Sequence, residues 1–401
     1  MKFVFIRVVA LVFAAVLCTP PQASALSPEW PAVVARARGQ SVYWHAYAGD
    51  ERVNRYIIWV ADEVRQRYGI ELHHVKVGNI KETVGKLIAA RAGAETAPVD
   101  LLWLNGQNFA ALKERKLLFG PITHVLPHFA LVDTVHKPTT LVDYTVPTQG
   151  LESPWGMAQL VFFADSARVK QPPRTMAALR AWAAEHPGRL TYPAPPDFTG
   201  ITFLKQALLE AIESHDIIYR PVREADFARV TAPLWRYMDS LHPHLWQSGK
   251  SFPATYAMMR KMINDGEIDI GFSFNPAEAS GAAAQKLLPA TVQPFVLEGG
   301  TIGNTHFVAI PSHATAKEGA MVVADFLLTP EAQSRKSNPA IWGESTVLDL
   351  DKLTRAERQL FDDLPRGRAM PTAADLQRVL PEPHPSWTIR IAEEWHLRYG
   401  P

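Results

Sequence analysis

The sequence is almost free of cysteine: Cys18 is the single one among 401 residues. It lies in an N-terminal segment with the features of a secretory signal peptide, in which two basic residues precede an apolar run over residues 8–17. Ala23-Ser24-Ala25 supplies the small-x-small pattern of a cleavage site. We therefore expect residues 1–25 to be a signal peptide that is cleaved after Ala25.

Two features of this leader favour secretion over a retained membrane anchor or a lipidated cysteine. The apolar run ends at Thr19-Pro20-Pro21, short of the roughly 20 residues that a membrane-spanning helix needs. Leu17 precedes Cys18 where lipid attachment requires a small residue. Cleavage would leave a secreted protein without thiols, which excludes disulfide bonds, thiolate metal ligands and a cysteine nucleophile.

The chain also lacks a charge excess of either sign. Lys and Arg number 41, Asp and Glu number 40, and the formal net charge is +1. Such a balance gives no general attraction to nucleic acid or to an anionic membrane, so we expect neither as a partner. The apolar content of 47% and the charged content of 20% are typical of a globular protein, and the length suggests about two domains.

Complete signatures of nucleophilic or nucleotide-dependent enzymes are missing. Gly271-Phe-Ser273-Phe-Asn275 has asparagine where a nucleophile elbow needs glycine. Gly249-Lys-Ser251 resembles the end of a phosphate-binding loop, but His244 stands where that loop requires glycine. Gly299-Gly300-Thr-Ile-Gly303 lacks the spacing of a dinucleotide fingerprint and precedes a strand instead of following one. We expect no cofactor.

The histidine pairs do not have the spacing of a metal site. Adjacent histidines on a strand face opposite sides, proline interrupts the other two pairs, and no carboxylate stands at ligand spacing. We therefore expect no metal site. The pairs are His73 with His74, His124 with His128, and His242 with His244.

Strand-like and helix-like segments alternate along the chain, which predicts an α/β protein with parallel strands. Apolar residues at i, i+3, i+4 and i+7 predict a helix from about Arg52 to Tyr68. We expect two lobes with crossovers near residues 155–160 and 305–310. The predicted strands are 41–45, 70–77, 99–104, 155–163, 189–192, 268–274 and 307–310, and the other helices are 83–92, 109–118, 175–186, 203–212 and 317–328.

Five segments just past predicted strands combine small residues with Asn, Asp, Thr or His. In open α/β sheets, ligands bind beyond the carboxyl ends of the strands. Each segment alone is an ordinary turn or helix cap, but five in phase favour a ligand cleft. They are His45 to Asp50, Asn105 to Asn108, Pro193 to Gly200, Asn275 to Glu278, and Gly300 to His306.

The segment Pro193 to Gly200 leaves the charge of a ligand open. Thr199 is a plausible N-cap for the helix that follows, and the free N–H groups of that helix could bind an anion. Asp197 could instead face a cation. Among the aromatic residues at strand ends, we expect Tyr47 and Trp155 to be exposed, because both lie in or beside glycine-containing loops.

Longer strings of residues carry a resemblance to a known family. These strings are Gly49-Asp50, Arg55-Tyr56-Ile57, Trp103-Leu-Asn105-Gly106-Gln-Asn108-Phe109, Thr145-Val-Pro147-Thr-Gln-Gly150-Leu-Glu-Ser-Pro154-Trp155-Gly156-Met157-Ala-Gln159, Tyr192-Pro-Ala-Pro-Pro-Asp197-Phe198, Phe274-Asn275-Pro276-Ala-Glu278-Ala, and Gly299-Gly-Thr-Ile-Gly-Asn304-Thr-His306. Through them, the sequence resembles the YnjB-like family of extracellular solute-binding proteins of ABC transporters from about residue 40 to about residue 350.

The resemblance implies a two-lobe, type II periplasmic-binding-protein fold with a ligand cleft between the lobes. The N-terminal lobe would comprise residues 26–155 and 306–350, and the C-terminal lobe residues 156–305. Residues 351–401 would form a helical segment that packs on the C-terminal lobe. Such a protein is a monomer in the periplasm that closes on a small solute and delivers it to a cognate ABC permease with its ATPase.

The resemblance also implies a set of solute-binding residues. An alternative from the residues themselves is a secreted hydrolase that uses Asp50 or Asp197 with His45 or His306. Under the transport hypothesis, the cleft is lined by Tyr47, Gly49, Asp50, Asn105, Asn108, Trp155, Asp197, Phe198, Thr199, Asn275, Asn304 and His306.

Overall fold

The computed structural model describes residues 29–90, 98–365, 367, 369–372 and 375–400. The predicted leader, with Cys18 and the cleavage site after Ala25, lies outside the described residues. Within those ranges, none of the helices combines the length and the hydropathy needed to cross a membrane.

The described residues form eleven strands and thirteen α-helices. The strands are β1 Ser41–Tyr47, β2 Glu71–Val77, β3 Leu101–Leu104, β4 Val142–Asp143, β5 Val146–Pro147, β6 Glu152–Gln159, β7 Val161–Asp165, β8 Ile270–Ser273, β9 Val292–Phe295, β10 Thr301–Ala309 and β11 Val379–Leu380. The helices are α1 Trp30–Ala37, α2 Glu51–Tyr68, α3 Ile80–Ala90, α4 Gln107–Glu114, α5 Met176–Glu185, α6 Phe198–Ala211, α7 Phe227–Leu241, α8 Tyr256–Asn264, α9 Glu278–Ala284, α10 Lys317–Phe326, α11 Pro330–Ser337, α12 Arg355–Asp362 and α13 Pro385–Tyr399.

The larger sheet has six strands. β1 pairs in parallel with β2 and with β3, as the alternation of strands and helices predicts. β10 then joins β3 in antiparallel orientation, and it also pairs with β6 and, at its start, with β11. The side chains of Trp44, Ile57 and Val308 lie in the core beside this sheet. We call this sheet and the helices packed on it the first lobe.

The smaller sheet has three strands in the order β8-β7-β9, both pairings being antiparallel. Its core is rich in phenylalanine: the rings of Phe203 and Phe272 stack with centroids 5.0 Å apart, and Phe162 lies 5.4 Å from Phe272. Burial of such rings supplies most of the stabilisation of a small sheet. We call this sheet and its helices the second lobe.

The chain passes between the two sheets at the ends of β6 and β10. β6 ends at Gln159 in the first sheet, and β7 begins two residues later, at Val161 in the second. Ile302, near the start of β10, belongs to the core of the second lobe, whereas Phe307 and Val308 lie in the first sheet, with Val308 in its core. β10 therefore connects the interiors of both lobes.

Three expectations about local structure are wrong. The run 155–163 is not a single strand, because β6 ends at Gln159 in one sheet and β7 begins at Val161 in the other. The residues 189–192 do not form a strand; Leu190 makes only an isolated bridge to Ile270. The segment from Gly300 to His306 is not a loop, because most of it is strand β10, whose polar residues pair with β6. The polarity that suggested a loop comes from the position of β10 between the lobes, where polar side chains find partners.

The C-terminal residues contact both lobes. α12 lies against α11, and Phe361 packs on the core of the first lobe. α13 buries Trp387, Ile391 and Trp395 in the core of the second lobe. Hydrogen bonds fix these indoles, with Trp387 Nε1 donating to the carbonyl of Arg220 over 2.9 Å. The segment between α12 and α13 consequently runs from one lobe to the other.

Candidate functional site

Tyr47 and Asp50 lie where β1 ends and α2 begins. The ring of Tyr47 is 42% exposed, as predicted, and it packs over Gly49 so closely that a Cβ there would collide with the phenol. Asp50 caps α2, its Oδ1 accepting the N–H of Arg52 over 2.8 Å. Burial, then the carboxylates of Asp197 and Asp50, raise the pKa of Tyr47 to about 12. The phenol therefore stays protonated and lies in a negative potential.

An ion-pair network joins the lobes in front of Tyr47. Arg52, on α2 of the first lobe, contacts both Asp50 in its own lobe and Glu278 on α9 of the second lobe. Glu278 also pairs with Arg260 of the second lobe over 3.2 Å. Burial disfavours the charge of Asp50, but the hydrogen bonds and charge of Arg52 outweigh it and hold the pKa of Asp50 below its usual range. Each lobe thus contributes one acid and one base.

Asp197, rather than Thr199, is the N-cap of α6. Its Oδ1 accepts the N–H groups of Thr199 and Gly200 over 2.8 and 3.1 Å, and its Oδ2 accepts that of Tyr256 over 3.2 Å. Thr199 is buried within the first turn. Burial raises the pKa of Asp197, although these backbone hydrogen bonds oppose the effect. Phe198 follows with its ring 37% exposed.

The three predicted asparagines of the loops have different surroundings. Asn275 accepts the N–H of Ala277 over 2.9 Å and donates to the carbonyl of Trp342, which belongs to the first lobe. Asn105 is half-buried beside the N-terminus of α4, where Asn108 is 8% exposed. Asn275 is therefore a contact between lobes, and Asn105 is the more accessible of the other two.

Trp155 is fully buried, so the expectation that it is exposed is wrong. Its ring lies 4.8 Å from that of Trp103 and 5.4 Å from that of Trp342. Trp155 is on β6, whose neighbours cover it, and the nearby glycine does not open the strand. Trp103 is half-buried and links Trp155 to the exposed Tyr47. The ring centroid of Trp103 lies 6.3 Å from that of Tyr47 and 5.0 Å from that of His306.

His306 belongs to a buried charged cluster. Its Nδ1 contacts Glu344, and Glu344 pairs with Lys336 over 3.2 Å. Burial opposes the charge of Glu344, but Lys336 and His306 outweigh it and hold the pKa of this carboxyl below its usual range. Sequence reasoning missed Lys336 and Glu344, because each lies in a segment without a recognisable motif.

A second polar cluster, also missed from the sequence, surrounds Asn304. Asn304 donates to Glu382 over 3.3 Å, and Glu382 pairs with Lys205 of α6 over 2.5 Å. Lys205 and Glu382 are 0% and 2% exposed. The ammonium of Lys205 also lies 5.0 Å from the ring centre of Tyr144 and 5.8 Å from that of Phe198. The C-terminal segment thereby supplies a carboxylate between the lobes.

Two buried carboxyls lie beyond this cluster. Asp143 accepts the N–H of Gly106 at the start of α4 over 2.6 Å, while its other oxygen has no partner among the described residues. Neither oxygen of Glu152 has a hydrogen-bond partner there. Burial raises the pKa of both carboxyls well above the usual range, and for Glu152 the neighbouring Asp143 adds to the effect.

The predicted acid–base pairs of the hydrolase alternative are not assembled. His45 is buried and its ring nitrogens contact Thr83 Oγ1 at 3.1 Å and the carbonyl of Pro98 at 3.2 Å. His306 contacts Glu344, and the hydrogen bonds of Asp50 and Asp197 go to Arg52 and to backbone N–H groups. The hydrolase alternative therefore has no support.

Two other polar sites lie away from the cleft. Asp133, His136 and Asp349 have ligand atoms within 4.8 Å of one another, so they could hold a metal ion, but His136 is 76% exposed and Lys352 lies 4.0 Å from Asp349. A groove of about 230 Å³ lies between α7 and α13 on the second lobe, with Trp235 in its lining. Neither feature touches the residues at the end of β1.

Comparison with known proteins agrees with this geometry. The family described as bacterial extracellular solute-binding protein matches residues 59–348. The protein YnjB of Escherichia coli K12 is 43% identical over 374 residues, which cover 93% of this chain and 94% of YnjB.

Solved structures share the fold at low sequence identity. The periplasmic binding protein AfuA of Actinobacillus pleuropneumoniae, solved with fructose 6-phosphate, superposes with a TM-score of 0.63 at 14% identity, covering 90% of this chain and 98% of AfuA. The spermidine/putrescine transporter substrate-binding protein PotD of Streptococcus pneumoniae gives 0.62 at 14%, covering 90% and 98%. Iron-bound HitA of Pseudomonas aeruginosa gives 0.59 at 13%, covering 88% and 98%.

These three neighbours carry unlike cargoes, so they establish the two-lobe periplasmic-binding-protein fold and leave the solute open. The family match and the extent of the similarity to YnjB establish more, because they span most of the chain. The chain belongs to the bacterial extracellular solute-binding proteins, among the relatives of YnjB.

Proposed function

We propose that this chain is the periplasmic solute-binding component of an ABC importer. It captures one small solute between its lobes and presents the closed form to a cognate permease, which works with its own ATPase. The protein acts as a monomer. Its leader directs it to the periplasm and is cleaved after Ala25. No chemical conversion of the solute is part of this function.

The observation that carries the proposal is the way the ion-pair network divides between the lobes. If the lobes separate, Arg52 keeps Asp50 and Glu278 keeps Arg260, because each of these pairs lies within one lobe. Only the contact between Arg52 and Glu278 is lost. An unpaired buried charge would cost several kcal/mol, and this arrangement avoids that cost in the open form. The network therefore suits repeated opening and closing.

The solute site in this proposal is the region around Tyr47. Tyr47, Gly49, Asp50 and Asn105 form the wall of the first lobe, and Asp197 with Phe198 forms the wall of the second. The other predicted residues do not contact the solute in this proposal. Trp155 and Asn108 are buried beneath the first wall, and Thr199 and Asn275 stabilise the loops of the second. Asn304 and His306 lie at the hinge.

The hinge lies where the chain passes between the sheets. We assign residues 26–155 and 306–350 to the N-terminal lobe and residues 156–305 to the C-terminal lobe, with rotation absorbed at the ends of β6 and β10. Residues 351–401 are assigned chiefly to the C-terminal lobe, because α13 buries two tryptophans in its core.

Binding assays on the mature protein test the proposal. We expect a thermal-shift screen with thiamine derivatives, polyamines, polyols and amino acids to give a hit that raises the melting temperature. Calorimetry should then give one molecule per chain, and chromatography should return the compound unchanged. Consumption of the compound would contradict the proposal and would indicate an enzyme.

A further inference from the structure

The helix N-termini around the cleft are all occupied by oxygen atoms of the chain itself. A free helix N-terminus attracts anions, because its first N–H groups lack partners and the helix dipole is positive there. Five helices begin beside these residues, namely α2, α4, α6, α8 and α9, and in each the chain supplies an acceptor within the first turn or just before it. The bonds run from Arg52 N to Asp50 over 2.8 Å, from Gly106 N to Asp143 over 2.6 Å, from Thr199 N to Asp197 over 2.8 Å, from Tyr256 N to Asp197 over 3.2 Å, and from Ala277 N to Asn275 over 2.9 Å.

This arrangement disfavours an anionic solute. A phosphate or carboxylate at any of these termini would have to displace the oxygen already bound there. At the N-termini of α2, α6 and α8 it would also lie against the carboxylate of Asp50 or Asp197, and like charges at such distances repel strongly in a partly buried site.

The acids of the cleft differ in whether a base neutralises them. Arg52 pairs with Asp50 and Glu278, and Arg260 pairs with Glu278 as well. Asp197 forms no ion pair with any Lys, Arg or His of the described chain; its partners are backbone N–H groups. The three carboxylates therefore outnumber the two guanidinium groups by one. The negative charge that no base neutralises is that of Asp197.

Two exposed rings flank this carboxylate. In the part of the chain that the structure describes, Tyr47 and Phe198 are the only aromatic residues among the exposed large apolar side chains, at 42% and 37%. Phe198 is the next residue after Asp197. Asp197 is linked to the first lobe beside Tyr47 through α8, because its Oδ2 accepts the N–H of Tyr256 and Arg260 of the same helix pairs with Glu278, the partner of Arg52. Aromatic faces beside a carboxylate attract cations through both the ring quadrupole and the charge. Exposed rings on facing walls of a cleft also indicate a ligand surface.

We infer that the solute carries a positively charged nitrogen group, which binds beside Asp197 while the apolar part of the solute lies against the rings of Tyr47 and Phe198. This inference rests on the proposed function, since it assigns a chemical class to the solute of the same cleft. A cation in this position contacts Tyr47 in the first lobe and Asp197 in the second. It therefore stabilises the closed form by binding it better than the open form.

The test uses the charge classes of a metabolite extract as probes. A bacterial extract is separated on ion-exchange resins into cationic, neutral and anionic fractions, and each fraction is added to the mature wild-type protein in a thermal-shift assay. The cationic fraction should raise the melting temperature, and native mass spectrometry should find one bound compound per chain.

The variant Asp197→Asn tests the position of the charge. Asparagine is as good an N-cap as aspartate, so α6 should keep its cap through Oδ1, while the charge and the hydrogen bond from the N–H of Tyr256 to Oδ2 are lost. We expect the affinity for the compound from the cationic fraction to fall about tenfold or more, in the range of a lost charge-assisted hydrogen bond. Glu185→Gln removes one negative charge from the exposed end of α5 in the same lobe and should leave the affinity unchanged.

The outcomes separate this inference from the proposed function. A shift with the anionic or neutral fraction alone would overturn the charge class and leave the transport function standing. Equal affinity in Asp197→Asn and wild type would overturn the assignment to Asp197. A wild-type protein that responds to none of the fractions would contradict the solute-binding function itself.

Discussion

At the scale of single residues, local signals predicted part of the cleft. An acceptor side chain before a helix is a signal that depends only on neighbours in sequence, so Asp50 could be placed just before α2, whereas the predicted N-cap Thr199 was wrong because Asp197 caps α6. The predicted exposure of Tyr47 was confirmed. The predicted exposure of Trp155 was wrong, because this residue lies on β6, and its burial depends on strands that are far away in sequence. Partners such as Glu278, 226 positions from Arg52, are set by the fold alone.

The buried carboxyl of Glu152 makes stability depend on pH. Its pKa is raised in the folded state by burial and by Asp143, while Lys113 opposes this effect. A carboxyl with a raised pKa stabilises the fold fully only below its unfolded-state pKa, and this contribution is lost as the pH rises through the folded-state value. We expect Glu152→Gln to raise the melting temperature at pH 8 by roughly 2–4 °C and to have little effect at pH 4.

Thermal unfolding of Glu152→Gln and wild type between pH 4 and 8 measures this effect. Glu114→Gln, which changes an exposed carboxyl on nearby α4, is the matched control and should shift neither end of the range. If Glu152→Gln changed the melting temperature equally at both ends, the pKa of this carboxyl would be the same in the folded and unfolded states, and our description of its environment would be wrong.

At the scale of elements, the apolar pattern predicted most helices and the three parallel strands β1, β2 and β3 of the first sheet, but not β11. α2 and β1 have nearly the predicted bounds, because each is long enough for its periodicity to identify it. β10 was missed in its first half, since its polar residues find partners between the lobes. α13 was expected as part of a helical segment, but its two core tryptophans could be identified only from the structure.

Docking of α13 should contribute substantially to the stability of the second lobe. Trp395 is 1% exposed, and its Nε1 donates to Tyr192 Oη over 2.7 Å, which in turn contacts His242. We expect Trp395→Ala to lower the free energy of unfolding by about 3–5 kcal/mol, as for other large-to-small changes in cores. Leu397→Ala on the same helix, at a side chain 82% exposed, should change it by less than about 0.5 kcal/mol.

Urea unfolding followed by tryptophan fluorescence and circular dichroism gives both values. A loss below about 1 kcal/mol in Trp395→Ala would mean that α13 is only loosely attached. The second lobe would then be complete without the C-terminal segment.

At the scale of the whole molecule, the two-lobe fold was predictable from the resemblance and from alternating strands and helices, but the contact between the lobes was not. The residues that join the lobes, Arg52 with Glu278 and Asn275 with Trp342, come from segments far apart in sequence. No short motif carries such pairs. The contacts that these residues form can be identified only from the folded structure, in which both lobes are present.

The contact between Arg52 and Glu278 should favour the closed form. In Glu278→Gln this ion pair is lost together with the pair between Glu278 and Arg260 inside the second lobe, while Asp50 still neutralises Arg52 in the first lobe. We expect the affinity for the solute to fall about tenfold, because each 1.4 kcal/mol of closed-state stabilisation corresponds to a factor of ten.

Calorimetric titration of Glu278→Gln and of its control measures this loss. Glu331→Gln breaks the exposed pair with Arg67 within the first lobe and should bind the solute like wild type. Unchanged affinity in Glu278→Gln would show that the pair between the lobes does not influence closure.

The central claim is that the lobes close on a solute at Tyr47 and Asp197, and a distance across the cleft tests it most directly. Arg55 on α2 and Met258 on α8 are exposed residues beside the network that joins the lobes. In a mature chain expected to lack cysteine, Arg55→Cys with Met258→Cys gives unique positions for spin labels. Pulsed electron paramagnetic resonance should show a broad distribution of distances without solute and a shorter, narrower one with it. A distribution that does not change when the solute is bound would contradict the account.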